Sequence, residues 1–291
     1  MATSKAARKP SKATTNVIEF DTDAIKAKEA AIAKETDESI LERLTERFDI
    51  LTDMTKAVKS GDVRAMIVSG PPGVGKSHGV EEVLDRYNTM QMLGGGQQFE
   101  VIKGAMSPIG LYCKLFKMAD KGKVVVFDDC DSIFQDELSL NILKAALDSK
   151  KKRTIHWNTD SFKLRNEGVP DQFNFEASAI FITNLKFDKM KSQKLRDHLD
   201  ALESRCHYID LQMDTNREKI LRIQQIARDG NMLDRYEFEP IQKDEVIEFI
   251  IENQDKLREL SLRMVLKIAD LRKSFPKNWA AMVKTTCMKR A

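Results

Sequence analysis

Eight residues fix most of what this chain can become: Gly70, Pro71, Pro72, Gly73, Val74, Gly75, Lys76 and Ser77. They fit G-x-x-x-x-G-K-[ST], a phosphate-binding loop. The glycines let backbone N–H groups turn inward onto phosphate oxygens, with no Cβ in the way. Lys76 has the reach for the β- and γ-phosphates of a nucleotide, and the Ser77 hydroxyl suits Mg²⁺. The flanks agree with this reading. Ala65, Met66, Ile67, Val68 and Ser69 read as a buried strand, and residues 78–84, from His78 on, read as a helix start. Strand, glycine loop and helix in that order aim a helix N-terminus at an anion. Residues 70–78 are therefore the candidate phosphate site.

Composition narrows the setting. The chain has 291 residues, 42% hydrophobic and 32% charged, which is globular and rich enough in apolar residues for a large core. That length allows about two domains. The net charge is +3, so any nucleic-acid binding has to come from local patches. The cysteines, Cys113, Cys130, Cys206 and Cys287, show no C-x-x-C spacing and no metal pattern with histidine. Cys130 and Cys206 read as buried free thiols, which fits a reducing, cytoplasmic compartment. No apolar run approaches the ~18 residues of a membrane span, and the N-terminus lacks the apolar core of a secretion signal.

Along the chain, residues 1–22 read as a disordered tail with a basic start (Lys5, Arg8, Lys9, Lys12). Residues 23–60 are helix-forming, with Ile40, Leu41, Leu44, Phe48 and Leu51 on one face, so that an adenine ring could lie on this helix. Residues 61–212 carry five strand signals: 65–69, 99–103, 123–129, 179–184 and 206–211. The apolar run Val124, Val125, Val126, Phe127 ends in Asp128 and Asp129. Continuous apolar strands of this kind are buried on both faces in parallel sheets. Acids at the C-terminal end of such a strand sit in the ligand crevice. Asp128 is placed to hold Mg²⁺ through water, and Asp129 to polarise an attacking water. Residues 150–176 read as an inserted hairpin or long loop with a basic base at Lys150, Lys151, Lys152 and Arg153. Residues 213–291 carry four helix signals, at 217–227, 243–257, 262–273 and 277–289, with Pro240, Ser261 and Pro276 marking starts. They read as a small helical bundle.

Taken together, 40–290 resembles the AAA+ ATPases. Residues 70–77 look like Walker A and 124–129 like Walker B. Asn184 looks like sensor 1. The stretch Ser204, Arg205, Cys206 is similar to the arginine-finger motif of clamp loaders, and Arg263 in Leu260, Ser261, Leu262, Arg263 resembles sensor 2. All five occur in the family's order. One position departs: Walker B usually ends Asp-Glu, and here it ends Asp128-Asp129, one methylene shorter. The wording Phe127 to Ser132 also looks like ATPases of tailed bacteriophages, which implies the cytoplasm of a host cell.

The resemblance implies an α/β fold: a three-layer αβα P-loop NTPase core with a five-stranded parallel sheet, then a small C-terminal helical lid. It implies an ATPase using ATP and Mg²⁺. Lys76 would neutralise phosphate, Ser77 and Asp128 hold the metal, Asp129 and Asn184 hold the water, and Arg263 touch the γ-phosphate within its own subunit. Arg205 would reach a neighbour's nucleotide, with Arg196 in reserve. It implies a homo-oligomeric ring, a hexamer among the sizes. DNA or RNA is the first client, favoured by the basic run. A polypeptide is the second, for which Ile109, Gly110, Leu111 and Tyr112 would be a pore loop. A slow ATP-gated loader or switch is the third, favoured by Asp129.

Overall fold

The computed structural model describes residues 35–91, 98–187, 190 and 192–290; the account below concerns the compact unit Asp37–Ala291. The basic tail, the first part of the helix-forming segment and the triple glycine at 94–96 lie outside the described residues. Helix α1 (Asp37–Ser60) leads into strand β1 (Ala65–Ser69), the glycine loop and helix α2 (Lys76–Gln91). Strand β2 (Phe99–Lys103), helix α3 (Pro108–Lys117) and strand β3 (Val124–Asp128) follow, then helix α4 (Glu137–Ala146). A hairpin of β4 (Thr154–His156) and β5 (Gln172–Asn174) carries a short helix α5 (Phe162–Asn166) between its strands. Strand β6 (Ser178–Thr183), helix α6 (Gln193–Glu203) and strand β7 (His207–Asp210) complete the sheet.

The five sheet strands are all parallel, in the order β2-β3-β6-β1-β7. Parallel neighbours need crossovers, so helices cover both faces. Side chains alternate between the faces. Ala65, Ile67, Val125, Phe127, Ala179 and Phe181 enter one apolar cluster, beneath α3, α4 and α6. Met66, Val68, Val124, Val126, Ile180 and Ile182 enter another, beneath α1 and α2. Each of these side chains is at most 1% exposed. Burial on this scale stabilises by roughly 1.5–3 kcal/mol for each Val, Ile, Met or Phe among them, and it fixes the strand ends on which Asp128 and Asn184 sit.

The remaining helices, α7 (Asn216–Gln224), α8 (Pro240–Glu252), α9 (Leu262–Ser274) and α10 (Trp279–Thr286), enclose a third cluster of their own. Pro240 is the first residue of α8 and Ser261 caps α9, as the starts of these helices require. The last helix begins at Trp279 rather than beside Pro276, with Asn278 as its cap. A π-turn at Gln225–Asp229 and a 3₁₀ segment at Asn231–Tyr236 link α7 to α8. Among the described residues, no helix is long and apolar enough to cross a membrane.

Two expectations need correction here. The stretch 109–112 does not form an exposed pore loop: it lies in the helix α3, with Leu111 and Tyr112 fully buried. Tyr112 packs edge-on against Phe173 of the hairpin and donates to the Pro170 carbonyl. The basic run also loses a member. Arg153 is buried, donates to the carbonyls of Ala146 and Ala177, and stacks over Phe175. It is a hairpin anchor, so only Lys150, Lys151 and Lys152 are exposed. Three cysteines are buried, Cys113, Cys130 and Cys287, whereas Cys206 is half-exposed.

Candidate functional site

The chain leaves β1 at Ser69 and crosses to β2 at the far edge, returning later to β7 on the other side. The crevice outside such a reversal is where ligands bind in open α/β sheets. The loop between Gly70 and Lys76 occupies it. Gly73 (φ +72) and Gly75 (φ +102) take left-handed backbone that other residues strain to adopt. At Gly73 there is a second demand. A Cβ there would meet the Ser261 Cβ at 2.8 Å, and the Leu262 N–H donates to the Gly73 carbonyl at 2.8 Å. The phosphate loop is thus hydrogen-bonded to the start of α9, the helix that carries Arg263.

Lys76 is 6% exposed and its ammonium donates to the carbonyls of Gly70 (2.7 Å) and Pro71 (2.9 Å) and to Asn184 Oδ1 (2.7 Å). The amide of Asn184 donates in turn to Asp129 Oδ1 (2.8 Å). Lysine, amide and carboxylate form one chain across β1, β6 and β3. Ser77 Oγ donates to Asp128 Oδ1 at 2.8 Å, and Asp128 is 4% exposed. A hydroxyl and a carboxylate are hard oxygen donors that suit Mg²⁺, which takes few protein ligands and completes its shell with water and phosphate. Asp129 has φ 52, a left-handed conformation that costs a non-glycine residue roughly 1 kcal/mol and turns its side chain out of the strand register. Its N–H is tied to the Ile182 carbonyl.

A cavity of about 930 Å³ opens over these groups. Gly73, Gly75, Lys76, Ser77, His78, Asp129, Asn184 and Arg263 all line it. Val74 is buried beneath the loop, and Pro72 is exposed on its outer side. The other end of the cavity is walled by Phe48 and Thr52 of α1, and by Arg222, Ile226, Met232 and Leu266 of the C-terminal helices. The Arg222 guanidinium lies 3.6 Å above the Phe48 ring, and burial pulls its pKa down to about 10. Of these, only Phe48 carries a signal in the sequence, through its apolar face. The rest are joined by folding alone. Asp131, which no motif singles out, accepts a 2.6 Å bond from Thr183 Oγ, which itself accepts from the Leu185 N–H. Burial raises the Asp131 pKa. Asp131 braces the turn that presents Asn184.

Arg205 is elsewhere. It is exposed, bonded to the Ala201 carbonyl, and precedes the edge strand β7. Arg196 lies on α6, half-buried, with its Nε unpartnered. Strand β1 is the immediate neighbour of β7, and Arg205 and the loop are separated along the strands rather than across them.

Burial lowers the Lys76 pKa to about 8, and the neighbouring Arg263 adds to this against the pull of Asp129. A phosphate ligand favours the charged lysine and raises that pKa. Affinity for a phosphate ligand on Lys76 would therefore be fully present below pH 8 and be lost as pH rises above it. We expect affinity at pH 9 to be about tenfold weaker than at pH 7. Calorimetry in buffers of different ionisation enthalpy should register proton uptake on binding near pH 8. A flat profile to pH 9 would show that Lys76 is already charged throughout.

A model of the family described as "ATPase family associated with various cellular activities (AAA)" matches residues 66–206. An uncharacterized 36.7 kDa protein of Enterobacteria phage T4, from the nrdC–mobD intergenic region, is 32% identical over 259 residues, covering 88% of this chain and 77% of that one. Among solved structures, the replication initiator DnaA bound to AMPPCP and single-stranded DNA aligns at 14% identity with a TM-score of 0.47, over 81% of this chain and 63% of that chain. NtrX from Brucella abortus in complex with ATP aligns at 12% identity with a TM-score of 0.48, over 89% of this chain and 57% of that chain. The chain thus spans less than two thirds of either solved chain.

Proposed function

The chain belongs to the AAA+ family of ATPases, and on that premise we propose that it binds ATP with Mg²⁺ in the cavity over the phosphate loop and hydrolyses it. The observation that carries the reading is the unbroken chain Lys76–Asn184–Asp129, with Ser77 and Asp128 beside it. Phosphate oxygens take over the Lys76 donors now held by the loop carbonyls. Asp129 and Asn184 orient water in line with the γ-phosphorus, and Arg263 meets the same phosphate from the lid. Ser77 and Asp128 would hold Mg²⁺, which when bound neutralises charge on the phosphate oxygens. Positioning and charge supply most of the rate in such a reaction. Because Leu262 is bonded to Gly73, a change at the phosphates acts on the lid, and hydrolysis becomes motion.

Asp129→Asn should keep ATP binding and lose about 10²–10⁴ in turnover, since the amide cannot act as a base. A phosphate-release assay with Mg²⁺, beside a nucleotide titration, reads both quantities. Normal turnover in Asp129→Asn would move the base elsewhere.

In this reading the protein works as a ring, with a hexamer among the sizes, and its client is DNA or RNA. The three exposed lysines at the base of the hairpin support a nucleic-acid client. The burial of Leu111 and Tyr112 removes the support that a polypeptide client had at 109–112. The shorter Asp129 favours a slow loader or switch as the second reading. ATP turnover measured with and without single-stranded DNA, in the chain and in a Lys150, Lys151, Lys152 triple glutamine variant, separates these. Stimulation lost in the variant supports the nucleic-acid client, whereas slow turnover indifferent to DNA supports the switch.

A further inference from the structure

Asp128 has two oxygens, and the metal reading uses one of them. Oδ1 accepts from Ser77, while Oδ2 lies 3.3 Å from the ammonium of Lys103. Lys103 closes β2 and stands directly opposite Asp128 in the β2–β3 register. Its ammonium also lies 2.8 Å from Glu81 Oε1, on α2 one turn past Ser77. One lysine is shared between the nearly buried Asp128 and the half-buried Glu81. The Lys103 side chain is itself 59% exposed, so it is free to shift from one carboxylate to the other.

We propose that Lys103 sets the divalent-cation affinity of the Ser77–Asp128 site by competing with the metal for Asp128 and withdrawing to Glu81 when the metal binds. The inference rests on the nucleotide reading above. A buried carboxylate without a counter-charge is costly, so with no metal present the lysine satisfies Asp128. A divalent ion on the same carboxylate comes within a few ångströms of the ammonium, and two like charges that close repel even in water. Glu81 supplies the second seat that makes the exchange possible. The device gives the site a weaker, more readily reversed hold on metal, without altering a metal ligand.

The test is Mn²⁺ binding to the ADP-saturated protein, followed by electron paramagnetic resonance, with folding checked by thermal melts. Lys103→Met should tighten Mn²⁺ about tenfold. Lys103→Arg, which keeps the charge, should stay near the parent. Glu81→Gln should loosen Mn²⁺, because the lysine then has only Asp128 to rest on. Opposite signs for the two removals are what a merely structural tie between β2 and α2 would not produce. Unchanged or weaker Mn²⁺ affinity in folded Lys103→Met overturns the proposal. Should that variant fail to fold, Glu81→Gln decides the matter: unchanged or tighter affinity overturns it. ADP binding without metal, measured alongside, reports on the nucleotide reading separately.

Discussion

Replacing Lys76 by Ala is expected to weaken ATP binding by about 10²–10⁴-fold and to leave the chain folded. The size follows from the contacts. A hydrogen bond to a charged group is worth about 1.5–3 kcal/mol, and Lys76 is placed for two phosphates, so ~3–6 kcal/mol is at stake. The folded state should survive for two reasons. Burial already works against this cation, as its lowered pKa of about 8 records, so removing it relieves a cost as well as losing bonds. Lys76 itself and Asn184, one of the acceptors it leaves beside the Gly70 and Pro71 carbonyls, line the open cavity over the loop, from which water can take the ammonium's place. A titration with a fluorescent nucleotide, next to a thermal melt, measures both. A folded Lys76→Ala variant that binds ATP like the parent would remove the assignment of the loop. Loss of binding together with loss of the melt would mean that Lys76 holds the fold instead. Lys76→Met, which keeps the buried stem, then repeats the measurement.

The sheet was legible because its strands are written as continuous apolar runs. No polar residue interrupts Val124, Val125, Val126 and Phe127 to make them a half-exposed strand or a helix face, and all four are buried in the sheet. The site's phosphate end was legible for a related reason. Loop, carboxylates and Asn184 each sit at the end of such a strand, so local patterns bring them to one rim. The other end has no local pattern. Phe48, Arg222, Ile226 and Met232 come from four different elements, and their meeting depends on how the C-terminal helices seat against α1. That seating rests on such pairs as Arg43 with Glu218 (3.0 Å) and Gln225 with Thr45 (2.8 Å), both more than 170 residues apart in sequence. The misreadings have the same origin. A run of four cations looks like a solvated patch, yet the last of them turns inward to bond two carbonyls. An apolar tetrapeptide carrying a tyrosine suggests a client-gripping surface, yet Leu111 and Tyr112 turn inward from the helix that Ser107 caps and Pro108 begins. Charge and hydropathy alone do not say which way a side chain at a segment boundary will face.

Loss of Arg205 is expected to cut turnover by about 10³–10⁵ while leaving ATP binding nearly intact, because we propose that Arg205 completes a neighbour's site. The register supplies the reason. Strand β7 pairs with β1 in parallel, His207 opposite Met66 and Asp210 opposite Ser69. The phosphate loop follows Ser69, and Arg205 precedes His207. They lie at opposite ends of a four-residue strand, which spans roughly 13 Å before either loop is counted. Arg205 is exposed, lies in the turn before the edge strand and, among the described residues, has its guanidinium bonded to its own helix end, so it points to a surface rather than to its own cavity. An arginine of this kind serves nucleotide chemistry only across an interface. The measurement is a mixing experiment with Lys76→Ala and Arg205→Ala, each inactive alone. If Arg205 acts in trans, mixed assemblies contain interfaces in which an intact Lys76 site faces an intact Arg205, and activity partly returns. Subunits that demonstrably exchange and restore nothing would turn attention to Arg196. Its α6 starts from the loop that leaves β6 on the nucleotide rim, and its Nε has no partner. Arg196→Ala would then carry the loss expected of Arg205.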